Sequence, residues 1–309
     1  MGHAPSLLDK ASVLAEILRP RHRHASLHFF FTPNAITSRV LRALRTVTPR
    51  RVLIQTITSS HQLEAHVPHL RGLDAVVALS DHSAQRLVAA GLAADRVHRI
   101  YPGVSIPPAP AGAPPKVALY AGDLDVAVAR RLVRCARAFE QHPDQDWRLV
   151  IACRPKSPED PDARALLRRE LGSGLDTGRV ELHGAVPNFE ALLTSCGYQL
   201  FVADHVRNKV DLPLVILEGL SRGLGLVALD FAPVNEIFEI AARERLTVGA
   251  RITAADDDGF AESFMASIPD AATLARWRTD AHALASAAFS AKILASAYQT
   301  LYSSLHGRQ

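Results

Sequence analysis

Short apolar runs alternate with helically periodic stretches through most of the chain. Nine runs bounded by turn residues are nearly continuous in Val, Ile, Leu, Ala and aromatic residues: LHFFF (27–31), RVLIQTI (51–57), LDAVVALS (73–80), VHRIYP (97–102), KVALYAG (116–122), WRLVIACR (147–154), RVELHG (179–184), YQLFVA (198–203) and GLVALD (225–230). Runs of this length and composition predict parallel strands covered on both faces. Between them SLLDKASVLAEIL, ITSRVLRALR, SAQRLVAAGL, AVARRLVRCARAF, NFEALLTSC and PLVILEGLSRG repeat apolar residues at helical spacing. The last has Pro213 at its expected first position and ends at Gly223, the usual limits of a helix. Strand–helix alternation of this kind predicts an α/β protein with doubly wound parallel sheets. FSAKILASAYQTLYSSL (289–305) predicts a closing helix.

One segment interrupts the alternation. IPPAPAGAPPK (106–116) holds five prolines and cannot continue a strand or a helix. It divides the chain into a first domain over 1–105, a linker over 106–115, a second domain over 116–290 and a final helix over 291–309. The 309 residues suffice for two such domains, and a composition 48% hydrophobic and 21% charged excludes a disordered chain. No apolar run approaches the roughly 20 residues that cross a bilayer. In MGHAPSLLDK, Lys10 interrupts any apolar region of a signal peptide. Cys135, Cys153 and Cys196 are far apart and form no CxxC pair, which points to reduced core residues in a cytoplasmic protein.

The formal net charge is +4, and two basic runs, RPRHRH (19–24) and RTVTPRR (45–51), fall early. Two readings stay open for them: a solvated surface, or a first domain that rests peripherally on the anionic inner face of a membrane or receives an acidic substrate. Nucleic acid is excluded as a partner, because no interleaved aromatics or binding module accompany the charge. No GxGxxG after a strand, GxxxxGK[ST] or GxSxG is present. HQLEAHVPH (His61, Glu64, His66, His69) is rejected as a metal site because Pro68 is expected to break the helix that would align its side chains. The turns that remain are polar: GDLD (122–125), CRPKSPED (153–160) and DHVRNKVDLP (204–213). They bring Arg154, Lys156, Arg207 and Lys209 to strand ends, where a doubly wound sheet binds nucleotides and where a diphosphate needs cations or a helix amino terminus. Two such domains facing a cleft would hold a nucleotide-linked donor and an acceptor.

The order VVALSDHSAQRLVAAGLAADRVHRIYPGV, KVALYAGDL, RLVIACR, VELHGAVPNFEALLTSCGYQLFVA, KVDLPLVILEGLSRGLGLVALDFAPVNEIF resembles the retaining glycosyltransferases of family 4, which have the GT-B fold of two facing Rossmann-like domains. The likeness runs from about residue 25 to the carboxyl terminus and is most specific over 179–238. HGAV, with Gly184 and Val186, is similar to the family's turn beside the nucleotide base. LPLVILEGLSRGLGLVA resembles its donor motif, NEIF the acidic turn that follows, and the final helix the family's terminal helix. The resemblance implies a transferase that moves a sugar from a UDP- or GDP-sugar to a glycan, lipid or small-molecule hydroxyl, without a metal or other cofactor. Glu218, as second acid of the E-x7-E motif, would accept hydrogen bonds from the ribose hydroxyls, since a carboxylate offers paired acceptors to vicinal donors.

The chain departs from that pattern in four places. Exact spacing puts the first acid at Val210, and Asp211 stands one position late. Asp211 is then the catalytic-position acid, contacting the sugar or capping the helix, while the backbone of Asp211, Leu212 and Pro213 faces the donor. The family's diphosphate cations are replaced, with Asp123 after Gly122 and Val128 at the approximate lysine place, so that Arg154, Lys156 or Lys209 must compensate. The first domain is expected to lack the usual opening strand and Gly-rich loop. On the acceptor side Thr58 stands near the family's histidine, with His61 three residues on. A GT-B protein that binds a nucleotide or partner without turnover is the alternative.

Overall fold

The computed structural model describes residues 26–30, 35–47, 51–142, 146–156, 158–206, 210–253 and 257–307, and residues 12, 15 and 16 besides. The run RPRHRH, Lys209, Arg207 and most of the 6–18 helix expected from periodicity lie outside these residues. The chain forms two compact units: residues 1–100 with 295–309, and residues 101–294.

In the first unit four parallel strands lie in sequence order: β1 (Leu27–Phe29), β2 (Leu53–Ile57), β3 (Ala75–Ala78) and β4 (Val97–Arg99). The register sets Ile54 beside Ala75 and Val76 beside Val97. All five residues of β2 are buried, as a strand covered on both faces requires. Helices α1 (Ala35–Val47), α2 (Leu63–Leu70) and α3 (Asp81–Ala89) belong to this unit. Ser80 caps α3 by accepting from the Ser83 amide at 3.0 Å, an arrangement worth about 1 kcal/mol. The helix stops where Gly91 takes φ 95°, a left-handed conformation that favours glycine.

One expectation about this unit is corrected. Helix α2 runs through Pro68, so proline does not break it. Glu64 accepts a two-pronged pair of hydrogen bonds from Arg86, both contacts 2.7 Å. Of the basic run 45–51, residues 48–50 lie outside the described residues. Arg45 pairs with Asp74 at 2.7 Å, and Arg51 is buried.

The second unit carries six parallel strands in the order β10-β9-β8-β5-β6-β7. They are β5 (Val117–Ala121), β6 (Arg148–Ala152), β7 (Val180–His183), β8 (Tyr198–Phe201), β9 (Gly225–Leu229) and β10 (Gly249–Ile252). Numbered from the first strand of the unit this is the doubly wound order 6-5-4-1-2-3, which reverses between β5 and β8. All nine strands read from the sequence are present. The tenth, β10, has only four residues, GARI, with the first three at least partly exposed, so no apolar run announced it.

The helices of the second unit are α4 (Val126–Gln141), α5 (Asp160–Glu170), α6 (Gly172–Asp176), α7 (Phe189–Thr194), α8 (Leu214–Ser221), α9 (Asn235–Arg243), α10 (Asp257–Ser267) and α11 (Ala271–Ala288). NEIF, expected as a turn, is the first turn of α9, whose Ile237, Ile240 and Ala241 are buried. Asp125 caps α4 through the Val128 amide at 2.8 Å. The core between these helices and the sheet includes Phe139 stacked on Trp147 and set edge-on to Phe264. The three cysteines are buried and form no disulfide among the described residues. The proline-rich segment packs on this unit: His282 of α11 contacts the Pro107 carbonyl at 3.0 Å and Arg278 donates to that of Ala111 at 3.3 Å. A closing helix, α12 (Ala291–His306), belongs with the first unit from Ala295 on. Among the described residues no helix is long and apolar enough to cross a membrane.

Candidate functional site

Reversal of strand order leaves the carboxyl ends of β5 and β8 with connections that run to opposite sides, and a crevice opens there. The second unit has a cavity of about 530 Å³ at this edge, within the range of small-ligand sites. Its wall is built from the turn after β5 (Gly122, Asp123), the turn after β6 (Arg154, Lys156), the turn after β7 (Gly184, Val186, Phe189) and the start of α8 (Val210, Pro213, Leu214, Val215, Glu218).

Each wall element is fixed by local chemistry. Tyr120, buried at the end of β5, donates its hydroxyl to the Asp123 carbonyl at 2.6 Å and so sets the Gly122–Asp123 turn. Burial pushes the Tyr120 phenol well above its ordinary pKa, keeping it a donor. Pro213 is the N-cap of α8, one position before the first helical residue, and no side chain caps that helix. The Ile216 amide donates to the Pro213 carbonyl at 2.9 Å, and the amides of Leu214 and Val215, the first two of the helix, are left at the cavity wall without an intrahelical partner. Gly219 lets α8 sit directly on β8: a Cβ there would come within 2.5 Å of the Gln199 side chain, whose amide donates to the Ile216 carbonyl at 2.9 Å.

Charge in the cavity is unevenly placed. Glu218 is half-buried, and its carboxylate makes no hydrogen bond or ion pair among the described residues. Burial raises its pKa above the ordinary glutamate value, Arg222 opposes the shift, and Glu190 adds to it. Arg222 is itself held by Glu190 at 2.7 Å. Arg154 and Lys156 are exposed and likewise donate to no protein group among the described residues. Arg131 of α4, by contrast, is spent on structure, donating to the Val202 carbonyl and to Asp204, both at 2.9 Å. Burial works against the Asp204 carboxylate, but Arg131 outweighs it and holds that pKa low.

Eight expected donor-side residues meet in this cavity: Gly122, Asp123, Arg154, Lys156, Gly184, Val186, Pro213 and Glu218. Asp211, read from the sequence as contacting the sugar or capping the helix, and Leu212 are both fully buried and are not among the residues of the wall. Val210 is the residue of that turn in the wall. Val128 is a core residue of α4. Thr58, partly exposed, and His61, exposed, follow β2 in the other unit.

Sequence reading missed Phe189, which adds an aromatic ring to the wall, and a polar cluster in the first unit. There His28 contacts the Tyr302 hydroxyl at 2.8 Å and that of Thr56 at 2.7 Å, while Thr56 meets Tyr298 at 3.0 Å. Burial lowers the His28 pKa to about 4. Only the polar His28 within the otherwise apolar run LHFFF hinted at it.

No protein-family model matches the chain, and no curated protein matches it in sequence. Solved structures do. HepE from Anabaena, in complex with UDP-glucose, is 18% identical with a TM-score of 0.68, the match covering 97% of this chain and 84% of that one. A glycosyltransferase from Rickettsia africae ESF-5 is 13% identical with a TM-score of 0.68, over 99% of this chain and 83% of that one. The pneumococcal O-GlcNAc transferase GtfA, in complex with UDP and GlcNAc, is 14% identical with a TM-score of 0.64, over 86% of this chain and 55% of that one. Likeness at this identity concerns the fold: the two parallel sheets are those of GT-B glycosyltransferases, with the first sheet the shorter.

Proposed function

We propose that the chain is a glycosyltransferase of the retaining family 4 kind, which takes a nucleoside diphosphate sugar in the cavity beside β5 and α8. One observation carries this reading. Glu218, a half-buried carboxylate, and the cations Arg154 and Lys156, all three without a partner among the described residues, line a single cavity with an uncapped helix amino terminus at the switch point of a doubly wound sheet.

In this reading Glu218 receives the ribose hydroxyls, Gly184 and Val186 flank the base, and Arg154, Lys156 and the first amides of α8 meet the diphosphate, with Lys209 as a further cation. Uridine nucleotides are the first donors to test, because HepE and GtfA hold them; guanosine nucleotides are the second. The bond between the anomeric carbon and the diphosphate oxygen breaks. The acceptor oxygen then bonds to that carbon from the same face, and its proton passes to the departing diphosphate. Thr58 and His61 stand on the acceptor side, and the acceptor is a glycan, lipid or small-molecule hydroxyl. Protein groups contribute by fixing both partners and offsetting charge on the diphosphate.

The second reading is a GT-B module that binds nucleotide without turnover. It is favoured by Val210 and Asp123, an apolar and an acidic side chain, in the wall where an acid and a cation are expected. Titration with UDP and GDP, followed by transfer and hydrolysis assays with their sugars, separates the two. Binding lost in Glu218→Ala together with turnover in the unchanged protein supports the transferase; binding without turnover supports the module; no binding of either nucleotide overturns both.

A further inference from the structure

Arg164, on α5 and outside the cavity wall, reaches the backbone behind two of its turns. Its Nη1 donates to the His183 carbonyl at 3.4 Å and its Nη2 to the Cys153 carbonyl. The Cys153 amide donates to the same His183 carbonyl at 3.3 Å. Cys153 and His183 are the residues that precede Arg154 and Gly184, so one guanidinium ties together the roots of both turns. The remaining edge, Nε, donates to Asp160 one helical turn back at 2.6 Å.

The pair is set deep. The side chains of Arg164 and Asp160 are 12% and 5% exposed, and Asp160 Oδ2 is buried with no hydrogen-bond partner. An ion pair that merely stapled one turn of α5 would sit as well at the surface, where such pairs contribute little. Burying it brings a planar donor with several fixed N–H groups to two converging carbonyls, a geometry that lysine's single ammonium cannot reproduce. We infer that Arg164 is a positioning residue: through the Cys153 and His183 carbonyls it holds the Arg154–Lys156 and Gly184–Val186 turns in the one arrangement that makes them a common wall.

The consequence for ligand binding rests on the nucleotide reading above, whereas the ordering of the turns does not. The test is Arg164→Lys, which keeps a charge beside Asp160 and loses the fork, with Arg164→Gln as a second variant. Hydrogen exchange is followed in peptides over 153–158 and 183–188, with peptides over β8 and β9 as internal reference. Faster exchange in the two turns, an unchanged reference and a UDP affinity reduced about tenfold or more are expected. Unchanged exchange in both turns overturns the inference, whatever the nucleotide does. Faster exchange in a protein that never bound UDP or GDP keeps the clamp and removes the nucleotide reading. Equal acceleration throughout the second unit, in both variants, overturns the inference in favour of a purely structural pair.

Discussion

Both units lay parallel strands beneath helices, but they add strands differently. In the first, β2, β3 and β4 each go down beside the strand before. In the second, the chain turns back after β7 and places β8 on the far side of β5. Only this reversal separates the two connections that leave neighbouring strand ends, and the cavity with Glu218, Arg154 and Lys156 lies at that place. Polar chemistry in the first unit takes another form. His28, Thr56, Tyr298 and Tyr302 bond to one another, while the side chains of Glu218, Arg154 and Lys156 bond to nothing among the described residues. One arrangement closes on itself; the other faces an open cavity.

Substitutions at single positions sharpen that contrast. The largest effect is expected from Gly219→Ala, whose Cβ meets the buried Gln199 side chain and lifts α8 from β8. A loss of about 1–3 kcal/mol in denaturant unfolding and a weakened UDP titration are expected. Gly72→Ala in the first unit, with nothing within 4 Å of the added carbon, should stay within about 0.5 kcal/mol. Glu218→Ala comes next. It should lower UDP affinity by about 1.5–3 kcal/mol, the range of hydrogen bonds to a charged group, with no comparable loss of stability.

The His28 cluster should show itself through pH. Its folded pKa, about 4, lies below the ordinary 6.5, so the unfolded chain binds the extra proton first. The stability this contributes is complete above 6.5 and is lost as pH falls toward 4. Thermal melts across that window should show the decline, and His28→Gln should flatten it. The smallest effect is expected at Glu64→Gln, which breaks the exposed pair with Arg86 and should cost less than about 1 kcal/mol.

Strand positions were legible because a strand covered on both faces must be apolar throughout, as AVVA (75–78) and VALYA (117–121) are. Edge strand β10 faces no such demand, and its Arg251 hid it. Pro68 misled because the rule treats the helix as isolated, whereas Leu63, Val67 and Leu70 pin α2 to the core through the proline. The cavity was legible from turns at strand ends, down to Gly122, Arg154, Gly184 and Glu218. Asp211 was not, because a one-residue shift decides which side chain of a turn points inward, and Val210 rather than Asp211 is the one in the wall. Arg164 was invisible for a different reason: Asp160 and Arg164 at helical spacing look like an ordinary surface pair, and the two carbonyls to which Arg164 donates, those of Cys153 and His183, lie at the ends of neighbouring strands whose pairing no local pattern displays.

Glu218 carries one more consequence. A carboxylate kept half out of water, with its pKa raised by burial, is shared between charged and protonated forms nearer to neutrality than an ordinary glutamate. Hydroxyls that donate to it stabilise the charged form and draw its pKa back down. On the proposed nucleotide reading, binding would be linked to proton release at this residue: the heat of UDP binding should depend on the ionisation enthalpy of the buffer, most strongly toward acid pH, and that dependence should shrink in Glu218→Gln to what the diphosphate itself contributes.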